Sequence, residues 1–188
     1  TTNVSTTGTK TITMNPISNT AANVDRYPNG EGLRLFIASY AAMGANAPTM
    51  QVTYTNSAGT TGKVTTAGCV STASATSGTI LNSGNAANKY GPFLPLAAGD
   101  TGVKDIESVI WGGTAHASGS VFVGLCKPLC MPIPVPATGL YNMVDFVNTL
   151  PSMPRLKNGA NVTFLVFGTG ATTAAATVYA NFDYGWGG

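Results

Sequence analysis

Short runs of alternating apolar and polar residues, separated by glycine-rich turns, recur along this chain of 188 residues. The clearest is Met50 to Thr55, where Met50, Val52 and Tyr54 share one side of a strand and Gln51, Thr53 and Thr55 the other. Asn56-Ser57-Ala58-Gly59 supplies a turn, and Gly62 to Thr66 returns as the second strand of a hairpin. Ser120 to Cys126 alternates in the same way, with Val121, Val123 and Leu125 together. A further strand, Val103 to Trp111, follows the turn Gly99-Asp100-Thr101-Gly102. Leu33 to Tyr40 is ambiguous, because Leu33, Phe36, Ile37 and Tyr40 also satisfy helical spacing. Gly30 and Gly32 before it, and the strand signals after it, favour a strand. Val162 to Phe167 is apolar on both faces and reads as a central strand, and Thr177 to Tyr184 aligns Val178, Ala180, Phe182 and Tyr184.

One segment has helical period instead. Leu140, Met143, Val144 and Val147 follow i, i+3, i+4, i+7 spacing, Thr138 can cap the start and Pro151 stops the end, which predicts a short helix near 139–150. Before it, Pro128, Pro132, Pro134 and Pro136 demand extended or edge backbone. Gly68 to Asn88 is a low-complexity stretch of small residues, a long loop or an irregular strand lying on another surface. Residues 1–23 are rich in Thr, Asn and Ser and have only Val4, Ile12, Met14 and Ile17 as large apolar anchors. They read as an extended N-terminal arm, with a short strand at Lys10 to Met14. Residues 24–188 then form a single all-β domain, an antiparallel β-sandwich. A jelly roll is the first choice of topology and an immunoglobulin-like sandwich the second.

Charge narrows the functional classes. Only 9% of residues are charged, against about a quarter in an ordinary soluble domain. The net charge is +2, and Lys63, Lys89, Lys104, Arg155 and Lys157 are dispersed rather than gathered into a stripe that could track phosphates. Nucleic acid is therefore not an expected partner. No apolar run approaches the ~20 residues of a membrane-spanning helix, so no membrane partner is expected either. Thr1-Thr2-Asn3-Val4 lacks the basic-then-apolar pattern of a secretory leader.

Candidate chemistry is sparse. His116 is the only histidine, no G-x-S-x-G elbow exists, and no acid is marked as its partner, so it reads as a loop histidine on a surface or contact rather than a catalytic base. Asp105 and Glu107 would share a strand face near Asp100, more in keeping with a solvated face and a turn than with a Ca²⁺ site. The glycine-rich segments match no phosphate-binding or dinucleotide fingerprint. Cys126 and Cys130 lie four apart and Cys69 far from both; buried free thiols and a disulfide, including one between subunits, both remain open. Tyr179, Phe182, Tyr184 and Trp186 cluster near the C-terminus, as a core strand whose end docks on a neighbour or as a sugar-stacking platform. Neither cofactor, metal nor small-molecule substrate is expected.

Some segments carry a resemblance. Phe93-Leu94-Pro95-Leu96-Ala97-Ala98-Gly99-Asp100-Thr101-Gly102-Val103, the stretch from Asp145-Phe146 through Leu150-Pro151-Ser152-Met153-Pro154-Arg155-Leu156, and the hairpin Val52-Thr53-Tyr54-Thr55-Asn56 with Gly59-Thr60 resemble small virion proteins of tailed bacteriophages. The resemblance implies a non-enzymatic capsid decoration, or cement, protein: a jelly roll on the capsid exterior that binds its own copies as a homotrimer and the major capsid protein. It carries over no catalytic residue. The alternative is a carbohydrate-binding β-sandwich module of a fibre or secreted protein. Val4, Ile12, Met14, Ile17 and Trp186 are then the expected subunit-contact anchors.

Overall fold

The computed structural model describes residues 2–3, 10–13, 27–66, 69–81, 91–113, 116–129, 162–163 and 165. Among them are eight strands: β1 (Thr2–Asn3), β2 (Lys10–Thr13), β3 (Arg34–Ala41), β4 (Thr49–Asn56), β5 (Lys63–Val64), β6 (Cys69–Val70), β7 (Val103–Gly112) and β8 (Ser120–Cys126). One sheet runs β1-β8-β3 and the other β2-β7-β4-β5, with β6 paired to the start of β4. Every pairing is antiparallel. The described residues contain no helix; the helix expected near 139–150 lies outside them, as does the strand expected at Thr177 to Tyr184.

Period two explains the inward faces. Met50, Val52 and Tyr54 of β4 are fully buried, and Val109 and Trp111 of β7 pack with them. Leu35 and Ile37 of β3 and Val121 of β8 join the same cluster from the other sheet, with Ile12, Ile106, Val123 and Leu125 packed around it. Two antiparallel sheets thus share one core, the arrangement of a β-sandwich. Each large side chain fully removed from water contributes about 1.5–3 kcal/mol, so this cluster is the main source of stability. The helical spacing of Leu33 to Tyr40 loses to strand pairing: Arg34 to Ala41 matches β8 from Cys126 to Ser120, with one irregularity between Ser39 and Ala41. The strand expected there is formed, and the spacing was ambiguous because β3 is buried on both faces from Leu35 to Ser39. At the other end of the chain, Val162, Thr163 and Leu165 lie outside any strand and Thr163 is exposed, so at these positions the expected central strand is not formed. An apolar run signals burial and does not by itself provide a pairing partner.

The low-complexity stretch closes an edge. After β6 the chain runs along the side of β3 that faces away from β8. Ser39 N donates to Thr79 O at 2.9 Å, Gly78 N to Ser39 O at 2.8 Å, and Leu81 N to Ile37 O at 2.9 Å. Leu94 N continues the row onto Leu35 O at 2.9 Å. The Ser39 hydroxyl donates to Thr76 O and accepts from Thr79 N. Small residues suit this role, because an irregular strand must bring its backbone close without large side chains to place. The described parts of the N-terminal segment also lie on sheet edges. Thr2 and Asn3 pair with Val121 and Ser120, and Lys10 to Thr13 pairs with Trp111 to Ser108.

Two backbones meet closely where Glu31 bridges Gly102. Gly30, in the left-handed region at φ 67°, ends the turn that begins at Tyr27, and Gly32 N donates to Thr101 O at 3.1 Å. A Cβ on Gly102 would collide with the Gly30 carbonyl oxygen and stand 2.7 Å from Gly32 N. Both obstacles are backbone and cannot rotate away. Gly102→Ala is therefore expected to destabilise the fold by about 3 kcal/mol, read as a lowered denaturant midpoint at unchanged m-value.

Candidate functional site

The β4–β7 pair runs from Thr49 opposite Gly112 to Asn56 opposite Val103. A cluster of buried polar groups sits at each end. At the Asn56 end the pairing shifts register between Thr53 and Tyr54 and again between Thr55 and Asn56. There the buried Tyr54 hydroxyl donates to Asp100 Oδ2 at 2.6 Å and accepts from Ala97 N at 2.8 Å. Asn56 Nδ2 donates to Asp100 Oδ1 at 2.8 Å, and its own Oδ1 accepts from Thr60 N at 2.9 Å. The chain Ala97–Tyr54–Asp100–Asn56–Thr60 thus fastens the loop before β7 to the β4–β5 turn. Burial, then the hydrogen bond to Asp100, pushes the Tyr54 phenol up to about 12. The Tyr54 hydrogen bond holds the Asp100 carboxyl below its usual range.

At the Thr49 end, His116 is wholly buried, which corrects the expectation of a surface or contact histidine. His116 Nδ1 lies 3.1 Å from Gly44 O and Nε2 lies 2.7 Å from Ser71 Oγ. A carbonyl can only accept, so Nδ1 carries the proton and Nε2 accepts from the Ser71 hydroxyl. The imidazole also stands edge-on to Trp111, with centroids 5.8 Å apart. Trp111 Nε1 is buried with no hydrogen-bond partner among the described residues. Burial lowers the His116 pKa from its ordinary value, opposed by the Gly44 carbonyl. Hydroxyl, imidazole and orienting acceptor have the order of a nucleophile, its base and the group that sets the tautomer. Ser71 and His116 are both 0% exposed, however, so the pair joins three segments and presents no nucleophile at the surface.

The acids do not converge. Glu107 accepts from the Thr55 hydroxyl at 2.8 Å and from Gly62 N at 3.0 Å, while Asp105 Oδ1 accepts from the adjacent Ile106 N. Asp100 is taken up by Tyr54 and Asn56. Among the described residues no group of three or more His, Cys, Asp or Glu is placed to hold a metal ion. Cys69 is a buried free thiol on β6 and Cys126 a half-buried free thiol at the end of β8. Burial pushes the Cys126 thiol up to about 11, so neither environment promotes a thiolate. Ile12 is half-buried and packs on the core. Cys130, Val4, Met14, Ile17 and Trp186 lie outside the described residues. Tyr40 and Phe122 are exposed, and Phe122 meets Phe36 at an interplanar angle of 89°, which is not a coplanar platform for a sugar ring.

Neither polar cluster was found by motif. Tyr54 carried one signal: a tyrosine on the buried face of a strand needs a partner for its hydroxyl. Ser71, within a run of small residues, carried none.

Tyr54→Phe removes one acceptor from the Ala97 N–H and one donor to a carboxylate, an expected loss of about 2 kcal/mol. Its pH signature is specific. The unfolded phenol ionises near 10.0 and the folded one near 12, so parent stability falls as pH rises through that window. The phenylalanine variant should lack this fall. Because the Asp100 carboxyl is held below 3.8, its contribution is present above that value and is lost as pH drops further. Asp100→Asn should flatten that acid loss in denaturant titrations at matched pH. No family model, curated protein or solved structure matches this chain.

Proposed function

We propose that this chain is a non-enzymatic structural protein of a virion: a capsid decoration, or cement, protein that binds its own copies as a homotrimer and the major capsid protein on the capsid exterior. The observation that carries this reading is the use made of the reactive side chains. His116 and Ser71 hold segments together, and Asp100 and Glu107 tether turns. The hairpin Val52–Thr60 and the segment Phe93–Val103, which carry the resemblance to phage virion proteins, are joined by the Tyr54–Asp100–Asn56 network. Those residues therefore have a scaffolding role, as the reading requires.

A jelly roll is the topology that best accounts for the pairing order. β3 pairs with β8 and, nested inside it, β4 pairs with β7. Nested long-range pairs are those of a hairpin rolled into two sheets, whereas immunoglobulin sheets interleave B with E and C with F. Low charge supports an adhesive role, since few ions must be desolvated when such a surface is covered.

Particles depleted of this chain provide the test. Adding it back should restore a fixed stoichiometry on the capsid surface and raise the temperature at which particles rupture. Deleting residues 1–23 should lower occupancy by about tenfold, equivalent to about 1.4 kcal/mol per site, while the isolated sandwich keeps a cooperative transition. That expectation follows because the described parts of the segment, β1 and β2, lie on sheet edges, so the central β4–β7 and β3–β8 pairings remain without them. Failure to bind particles, with stabilisation by glycans instead, would establish the carbohydrate-binding alternative.

A further inference from the structure

The cluster around His116 does more than fill space. It joins three segments that are remote in sequence: the β3–β4 connection at Gly44, the chain after β6 at Ser71, and the β7–β8 connection at His116 itself. Backbone bonds tie the same segments together. Gly44 N donates to Ser118 O at 3.1 Å, Ser74 N to Gly44 O at 3.0 Å, and Met43 N to Ala75 O at 2.8 Å. Gly44 O therefore accepts from both Ser74 N and His116 Nδ1. Ser74 is the one described non-glycine residue with positive φ, at 49°, a conformation that persists only where neighbours hold it. The approach is tight as well: a Cβ on Gly44 would stand 2.8 Å from Ala117 N.

We propose that His116 is an acid-responsive latch, whose protonation releases the Gly44, Ser71 and Ser74 segments from one another while the β4–β7 ladder stays paired. The inference is independent of the virion reading and holds for any function of the fold. The neutral ring satisfies both neighbours with one donor and one acceptor. A second proton turns Nε2 into a donor, so the Ser71 hydroxyl must reverse and its hydrogen must find another acceptor. The cation would also be buried without an anion. β6 carries one titratable group, Cys69, an uncharged thiol held in that form by burial. From β7 the ring meets Trp111, which has no ionisable group. Ala42, Met43, Gly44, Ala45 and Asn46 bring none, nor do Ala117 and Ser118. Among the described residues no carboxylate contributes to the field at the ring, where burial and the Gly44 carbonyl are the acting causes. Opening the latch lets the imidazole reach water and take its proton, and that difference drives the release.

Amide exchange on the full chain tests this directly, and the single histidine makes its imidazole signals unambiguous in NMR. The folded imidazole should titrate below 6.5. Between about pH 7 and about pH 5, protection factors at Gly44 and Ser74 should fall, with a ceiling of about thirty-fold set by an open state of ordinary pKa. Amides in the middle of β4 and β7 should keep theirs. In His116→Gln the Gly44 and Ser74 protection should no longer depend on pH. If that variant does not fold, the site-by-site comparison in the parent chain decides alone. An imidazole that titrates at or above 6.5, or Gly44 and Ser74 amides whose protection tracks that of the ladder, overturns the latch.

Discussion

β4 pairs with β7 along the whole length of β4, and the rest of the described structure is organised around that ladder. It supplies Met50, Val52, Tyr54, Val109 and Trp111 to the core, and it takes β2, β5 and β6 as neighbours. The pairing is long-range, so ordering the intervening chain costs entropy that local contacts do not offset. Tethers at the two ends meet that cost. Tyr54, Asp100 and Asn56 secure one end, and His116, Ser71 and Gly44 the other.

The two tethers differ in kind. At the Asn56 end a carboxylate accepts two hydrogen bonds and is stabilised in its charged form, which keeps that end intact into acid. At the Thr49 end a neutral imidazole is buried against Trp111, and charge there is penalised. Both groups are therefore protonated less readily in the folded chain, and the two ends of the ladder lose stability in different windows. The His116 end does so as pH falls below the ordinary imidazole range, the Asp100 end only below the ordinary carboxylate range. The windows differ because an imidazole ordinarily titrates near 6.5 and a carboxylate near 3.8, while the surroundings of each favour the form it has at neutral pH.

A chain with so few charges must satisfy its polar groups internally and by backbone. Ser39, Thr65, Ser71 and Thr72 are short hydroxyl residues whose side chains reach neighbouring backbone or ring atoms. Glycine permits the close approaches that such packing needs, as at Gly30 and Gly102. This economy of charge is the physical link between the composition and the proposed role on a particle surface, where neighbouring subunits would cover much of the chain.

Local pattern alone was sufficient for β4, where burial alternates from Thr49 to Tyr54, and for β8, and the glycine turn marked the hairpin whose return strand is β5. It also located β2 and β7, and it framed the stretch after Gly68 as a long loop or an irregular strand lying on another surface. It was ambiguous for β3, where burial of both faces erases the period that separates strand from helix. It misjudged His116, because a lone histidine among small residues shows nothing of the Ser71 hydroxyl 45 residues earlier or the Gly44 carbonyl 72 residues earlier. Alternation is a property of neighbours along the chain and can be read from them. Which segments share an edge, and which polar groups meet in the interior, depends on contacts between residues far apart in sequence, and only the tertiary structure decides them.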